Sequence, residues 1–246
     1  MRTKPYQRFI ARVADYEADI ELSDVLVTTF ISKVKNSNHN IATHMGLSNQ
    51  LYPKLASRIN SHQSRKIVGI HLQKALYGSF MKDLYEDFSE FLQETIKAAA
   101  MKGIDYPRLL SGSSVDMKMI DVLKAGSWDA LLIKVSENVF RSLENERSTI
   151  KLIEKFNIKL DLKIQQNFVD EAMPYLEARH IIVHRDGKAD AKYIADYAAI
   201  ALDPKGKIKL DFAFVTLART KVCELARHIN ERVQAEDLCL ASEIVQ

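Results

Sequence analysis

Between residues 65 and 101 apolar side chains return every four residues: Val68, Leu72, Leu76, Phe80, Leu84, Phe88 and Leu92, with Tyr77, Phe91 and Ile96 widening the stripe. Such an interval suits one element, a long α-helix with its period of ~3.6 residues. Gly103 stands just past the run, where the left-handed turn that closes a helix favours glycine. The whole chain holds 8 Gly and 5 Pro among 246 residues, so few positions can stop a helix.

The same reading extends along the chain. Phe9, Ile10, Val13, Ala14 and Ile20, then Val25, Leu26, Phe30, Ile31 and Val34, recur at helical spacing. Residues 104–116, with Pro107, Ser111, Gly112, Ser113 and Ser114, read as a loop. Short helices are expected over 115–124, ending at Gly126, and over 128–141, with Leu131, Leu132, Val135 and Val139 inward. A further helix is expected over 144–157, carrying Ile150, Leu152, Ile153 and Phe156. Another spans 165–186, where Pro174 either kinks it or marks a start near Met173. Asp203-Pro204-Lys205-Gly206 is a turn, and Ile208, Leu210 and Phe212 alternate after it. A short β-hairpin is therefore expected near 193–212, before a last helix over 214–236. The fold class is mainly α, a helical bundle. The chain divides into an N-terminal helical region, 1–64, and a helical domain, 65–240.

Composition narrows the setting. With 47% hydrophobic and 27% charged residues, the chain resembles an ordinary soluble globular protein. It is long enough to bury a core without a metal or disulfide staple. Cys223 and Cys239 form no C-x-x-C motif, so a reducing cytoplasm is the expected compartment. No apolar run reaches the ~18 residues of a membrane span, and the first residues lack the apolar core of a signal peptide. Charge is uneven. Residues 1–66 carry ten Lys/Arg against five Asp/Glu, and the remainder carries 25 against 27. That excess fits either a solvated helix surface or a face turned to a polyanion.

The chemistry concentrates in Arg179-His180-Ile181-Ile182-Val183-His184, followed by Arg185-Asp186-Gly187. Arginine clamps phosphates with a fixed fork of donors. Histidine gives and takes protons near neutral pH. RNA carries its own nucleophile, the 2′-hydroxyl. An enzyme that cuts RNA needs a base for that oxygen, an acid for the leaving 5′-oxygen and a fixed positive charge for the phosphate. One Arg and one His supply part of this set; two copies facing each other across a two-fold axis supply all of it. On a helix, residues five apart point ~140° away from each other, so Arg179 and His184 suit a cleft with two sides. His180 and His184, four apart, share a face. His184 falls in the last turn, where the helix dipole favours a positive charge and hence a proton donor.

Arg179 to His184 resembles the R-x4-H signature of the HEPN superfamily. The stretch 176–190 looks most like its RiboL-PSP branch. Tyr77-Gly78-Ser79-Phe80 and Leu84-Tyr85-Glu86-Asp87-Phe88 look like the family's N-terminal core helix. The resemblance covers roughly residues 65–235. It implies an all-helical bundle that dimerises through the motif helix. It also implies a metal-independent endoribonuclease that leaves a 2′,3′-cyclic phosphate, often in a toxin–antitoxin or phage-defence setting. RNA, a second copy of the chain and an antitoxin or defence protein are the implied partners. Arg179 and His184 would be catalytic, and His180 auxiliary. One branch of the family carries a tyrosine where this chain has Asp186, so the modification control that uses that tyrosine is not expected.

Other readings stand beside this one. Some HEPN domains bind without cutting. Residues 41–55 place Ile41, Ala42, Met45, Gly46, Leu47, Tyr52 and Leu55 roughly where a helix-turn-helix wants them, with Lys54, Arg58, Arg65 and Lys66 following. Pro53 would break that recognition helix. The i, i+4 pair His180 and His184 matches zinc spacing, but no glutamate follows the first histidine, and no cofactor or metal is expected. His39, His44, His62, His71 and His228 read as surface or satisfied core residues, and Trp128 as core.

Overall fold

The apolar run folds into a single helix, α4 (His62–Lys102). The Ser61 side chain caps its start by accepting the Ser64 N–H, and Gly103, at φ +94°, ends it. The structure, a computed structural model, describes residues 1–112, 117–146 and 148–245. Among them the other helices are α1 (Lys4–Ser32), α2 (Ile41–His44), α3 (Pro53–Ala56), α5 (Tyr106–Leu110) and α6 (Met119–Lys124). They continue as α7 (Trp128–Glu144), α8 (Thr149–Leu160), α9 (Gln166–His184), α10 (Ala191–Asp196) and α11 (Phe212–Ala235). The fold is a mainly α bundle, as the spacing predicts.

Helix α1 packs along α4. Tyr6, Phe9, Val13 and Ile20 of α1 join Tyr77, Phe80, Leu84, Phe88 and Phe91 of α4 in one core with α7, α8, α9 and α11. The rings of Phe9 and Phe91 lie 5.7 Å apart. The seam carries polar ties as well. Arg12 reaches Asp87 at 2.9 Å and also pairs with Glu90, while Tyr16 Oη donates to Asp87 at 3.0 Å. The first 32 residues therefore belong to the core of the bundle and do not form a region apart from 65–240. The chain ends meet in a two-stranded antiparallel sheet, β1 (Arg2–Thr3) with β2 (Ile244–Val245). Asn230 of α11 fastens it by accepting the Thr3 N–H and hydroxyl, each at 2.9 Å.

Several expectations change. Leu72 and Leu76, both in the α4 stripe, are exposed at 53% and 40%. A four-residue step advances ~400°, so each step drifts ~40° around the helix and no single face can hold the whole run. The expected loop 104–116 contains α5, whose Leu109 is fully buried. Buried Lys159 pins that turn by donating to the carbonyls of Leu109 and Ser111 at 2.8 and 2.7 Å. Residues 113–116, including the expected helix start at Val115, lie outside the described residues. The helix expected from Glu144 begins at Thr149, because α7 runs on to Glu144 and closes on Asn145. Trp128 is 60% exposed at the first residue of α7, meeting Tyr106 edge-on at 6.2 Å. The hairpin near 193–212 shrinks to one antiparallel bridge, Leu202 with Ile208, and α10 fills its first part. Residues 41–55 give two one-turn helices, the second starting at Pro53, so no recognition helix forms there.

Two glycines of α4 make opposite demands. A Cβ on Gly69 would sit 3.0 Å from Val27 and 3.1 Å from Ile31, so those α1 side chains would have to give by a few tenths of an ångström. A Cβ on Gly78 would meet only Ile182, at an ordinary 3.6 Å. Gly78→Ala is expected to stabilise the chain by about 0.5–1 kcal/mol through helix propensity. Gly69→Ala is expected to destabilise it by about 1–3 kcal/mol through overpacking. Urea unfolding of the two variants reads both signs.

His228 of α11 is buried and stacked on Phe168, with ring centroids 4.4 Å apart. Its Nε2 accepts the N–H of Gln165, the residue that opens α9, at 3.1 Å. An acceptor nitrogen carries no proton. Burial first, then Arg232 and Arg227, hold this imidazole below its ordinary value, with Glu231 opposing. A histidine with a depressed folded pKa contributes its stability above the unfolded value of about 6.5 and loses it as the pH falls through the folded one. The thermal midpoint is expected to drop on acidification, and less steeply in His228→Gln. Equal slopes in the two proteins would show that this ring is not a source of the pH dependence.

Candidate functional site

The site is built at the C-terminal end of α9. This helix runs unbroken through Pro174, with Val169, Ala172, Met173, Leu176, Ala178 and Ile181 turned into the core against α4 and α11. Burying that face leaves Arg179, His180, Val183 and His184 at the surface, half-buried for the arginine and exposed for the others. The rings of His180 and His184 come together, 4.9 Å between centroids. Arg179 lies on the other side of Val183, toward α4, as the angular spacing predicts.

Arg179 is held by α4. Its guanidinium sits over the Tyr85 ring at 5.0 Å and approaches Glu86 at 3.9 Å, a long and half-exposed ion pair. Its Nε is buried and donates to no acceptor among the described residues. Glu86 therefore neutralises the charge only weakly, and the outer guanidinium nitrogens keep donor capacity. Tyr85 and Glu86 stand in the helix whose sequence drew attention for its stripe. Nothing in the spacing announces that they would position Arg179, because the contact joins segments far apart in the chain.

The helix ends where the sequence places its stop. His184 is the last helical residue. The Ile181 carbonyl accepts the N–H groups of Arg185 and Gly187, each at 3.0 Å, while Asp186 and Gly187 take positive φ, 51° and 77°. The Asp203–Gly206 turn then closes on this end: Ile208 N–H donates to the Gly187 carbonyl at 2.9 Å and Ala189 N–H to the Gly206 carbonyl at 3.1 Å. Lys207 pairs with Asp186, and Arg185 with Asp190. Asp190 also caps α10, and buried Tyr193 of α10 donates to the Pro174 carbonyl at 2.7 Å. The two carboxylates that follow the motif are thus engaged by their own cations.

The His180 imidazole is held below its ordinary value, first by desolvation, then by His184, Arg185 and Arg179, with Asp190 opposing. A ring in such a field stays neutral and can accept a proton. Among the described residues, no group of three or more His, Cys, Asp or Glu is placed to hold a metal ion. No helix among them is long and apolar enough to cross a membrane.

Comparison with known proteins adds no relative: no family model, no curated protein and no solved structure matches this chain. The functional reading rests on the residues themselves.

In an NMR titration the His180 ring is expected to titrate below the ordinary imidazole value of about 6.5. His184→Asn should raise it only part of the way, because burial outweighs the neighbouring charge. Full recovery in that variant would make His184 the main cause.

Proposed function

We propose that this protein is a metal-independent endoribonuclease of HEPN type, acting as a homodimer through α9. The observation that carries the reading is the join of Arg179, His180 and His184 at the exposed end of one helix, with the arginine charge left largely unneutralised. Arg179 would hold the phosphate. His184 would act as the acid or base, with neutral His180 assisting beside it. The 2′-oxygen attacks phosphorus as its proton passes to the base. The bond to the 5′-oxygen breaks, and that oxygen takes a proton from the acid. The products are a 2′,3′-cyclic phosphate and a free 5′-hydroxyl, with no water or metal consumed. Two copies of the motif across a two-fold axis provide base, acid and a pair of arginines. A cytoplasmic toxin–antitoxin or phage-defence setting, with a partner protein that restrains the nuclease, fits this chemistry and the family resemblance.

Purified protein in EDTA is expected to cut RNA and leave cyclic-phosphate ends. His184→Ala should lower the rate by about 10²–10⁴-fold while remaining folded and dimeric, the range lost with a general acid or base. Arg179→Ala should act similarly through the phosphate. If the wild-type protein leaves total RNA and tRNA intact, the motif serves binding or assembly instead.

A further inference from the structure

From Val25 to Lys82 the chain contains no Asp or Glu, but eight Lys/Arg and four of the seven histidines. The other residues hold 27 Lys/Arg against 32 Asp/Glu, so the modest net charge of +3 hides a strongly basic segment in an acidic remainder. The structure places this segment on one arm: the C-terminal end of α1, the α2–α3 connection and the N-terminal half of α4. The arm is organised from inside by buried Arg65. Its guanidinium donates to Asn60 at 2.6 Å, Asn36 at 3.2 Å and the Ile31 carbonyl at 3.4 Å, so no carboxylate is spent there. Lys33, Lys35, Lys54, Arg58, Lys66 and Lys74 are exposed and make no ion pair among the described residues. Elsewhere most surface cations sit within 4 Å of a carboxylate. Exposed Asn38, Ser48, Asn49 and Gln50 lie between the cations, and Tyr52 is 46% exposed beside Lys54.

The arm also connects to the motif. A groove of about 570 Å³ is walled on one side by Ile67, Ile70, His71, Lys74 and Gly78 of α4. Its other wall is Ile182 and Val183 of α9, the Asp186–Lys207 pair, and Ile208 and Leu210 after the turn. Lys66, Ile70 and Lys74 follow one row of α4, and Val183 lies between Arg179 and His184. From Lys66 to Gly78 the helix rises ~18 Å.

We propose that residues 25–82 form an RNA-docking surface that holds a single strand along the arm and leads it through the α4–α9 groove to the motif. The proposal deepens the nuclease reading and rests on it for the choice of RNA over other polyanions. Unpaired cations spaced over three segments suit a phosphate backbone, and intervening amide, hydroxyl and aromatic groups suit unpaired bases.

The test measures binding of the full chain to fluorescent single-stranded 2′-O-methyl RNA, which lacks the 2′-hydroxyl nucleophile and so cannot be cut by this route. Lys33→Glu, Lys35→Glu, Lys54→Glu and Arg58→Glu are combined in one variant; these side chains make no ion pair, so their replacement breaks none. Lys118→Glu, Lys124→Glu and Lys151→Glu form the control. The arm variant is expected to bind about tenfold or more weakly, and its salt dependence to flatten by about 2–3 units of slope at ~0.7 per lost contact. The control should stay within about twofold, far below the effect of losing phosphate contacts. A set with Gln at the four arm positions should fall between wild type and the Glu set, which separates charge loss from misfolding. Equal losses in arm and control variants, or wild-type protein that ignores RNA yet binds phosphatidylserine vesicles, would overturn the proposal. Cleavage of ordinary RNA is read alongside. Cutting that survives intact in the arm variant sinks the docking surface and keeps the nuclease. Arm-dependent binding without any cutting keeps the docking surface and sinks the nuclease.

Discussion

The drift of the apolar positions around α4 governs the architecture. Each four-residue step turns ~40° past the last, so the stripe from Val68 to Leu92 winds around the helix and cannot be covered by one neighbour. α1 takes the sector around Gly69 and Tyr77, and α7, α9 and α11 take the sectors further along. A bundle with α4 at its centre is the consequence. The winding also explains why Leu72 and Leu76 remain exposed: they fall in a sector where no described helix covers them. Where α9 reaches α4, Gly78 presents no side chain and Ile182 comes close. The motif helix is thereby seated against the central helix at the end that carries the chemistry.

Neither end of the motif is oriented by α9 alone. Arg179 depends on Tyr85 and Glu86 of α4, a ring to lie on and a carboxylate too distant to neutralise it. His184 depends on the stop at Arg185–Gly187, and the 203–208 turn holds the chain just past that stop through its backbone bonds to Gly187 and Ala189. The pairs Lys207–Asp186 and Arg185–Asp190 engage the two carboxylates that follow the motif. At the far end of α9, the His228 ring receives the Gln165 N–H. The helix is fixed at both ends by side chains from elements the motif sequence does not mention.

Legibility follows the range of the interaction. The long helix, its Gly103 cap, the last turn at His184 and the Asp203–Gly206 turn are local, and periodicity or turn chemistry shows them. The facing of His180 toward His184, and of Arg179 away from both, follows from helical geometry alone. What escaped is tertiary. α5 forms in a Pro- and Ser-rich stretch because Leu109 finds the core and Lys159 holds the turn. Trp128 lies four residues before buried Leu132, on the core-facing row, yet it stands at the first residue of α7, 60% exposed, with Tyr106 edge-on to its ring. The expected hairpin lost to α10, whose Asp190 cap and buried Tyr193 outweigh the alternation that follows Pro204. The Arg179 partners on α4 were named in the sequence for another reason, and no local signal pairs them with the motif.

Charge shows the same division between local and global description. A net of +3 describes no part of this surface. Exposed charges more than ~8 Å apart are largely screened at physiological salt, so carboxylates on the lower bundle do not cancel lysines on the arm. The bundle pairs its cations with carboxylates, as in Lys221 with Glu171 and Arg227 with Glu231, while the outer nitrogens of the arm's buried Arg65 meet amide and carbonyl oxygens. Arg65 can therefore organise residues 31–61 without importing a carboxylate that would offset the neighbouring lysines. The fold then sets that arm beside the end of α9, where desolvation first, then His184, Arg185 and Arg179, depress the His180 imidazole. Lys74 of the arm and Ile182 and Val183 of α9 line one groove, so a strand laid along the arm reaches the motif helix.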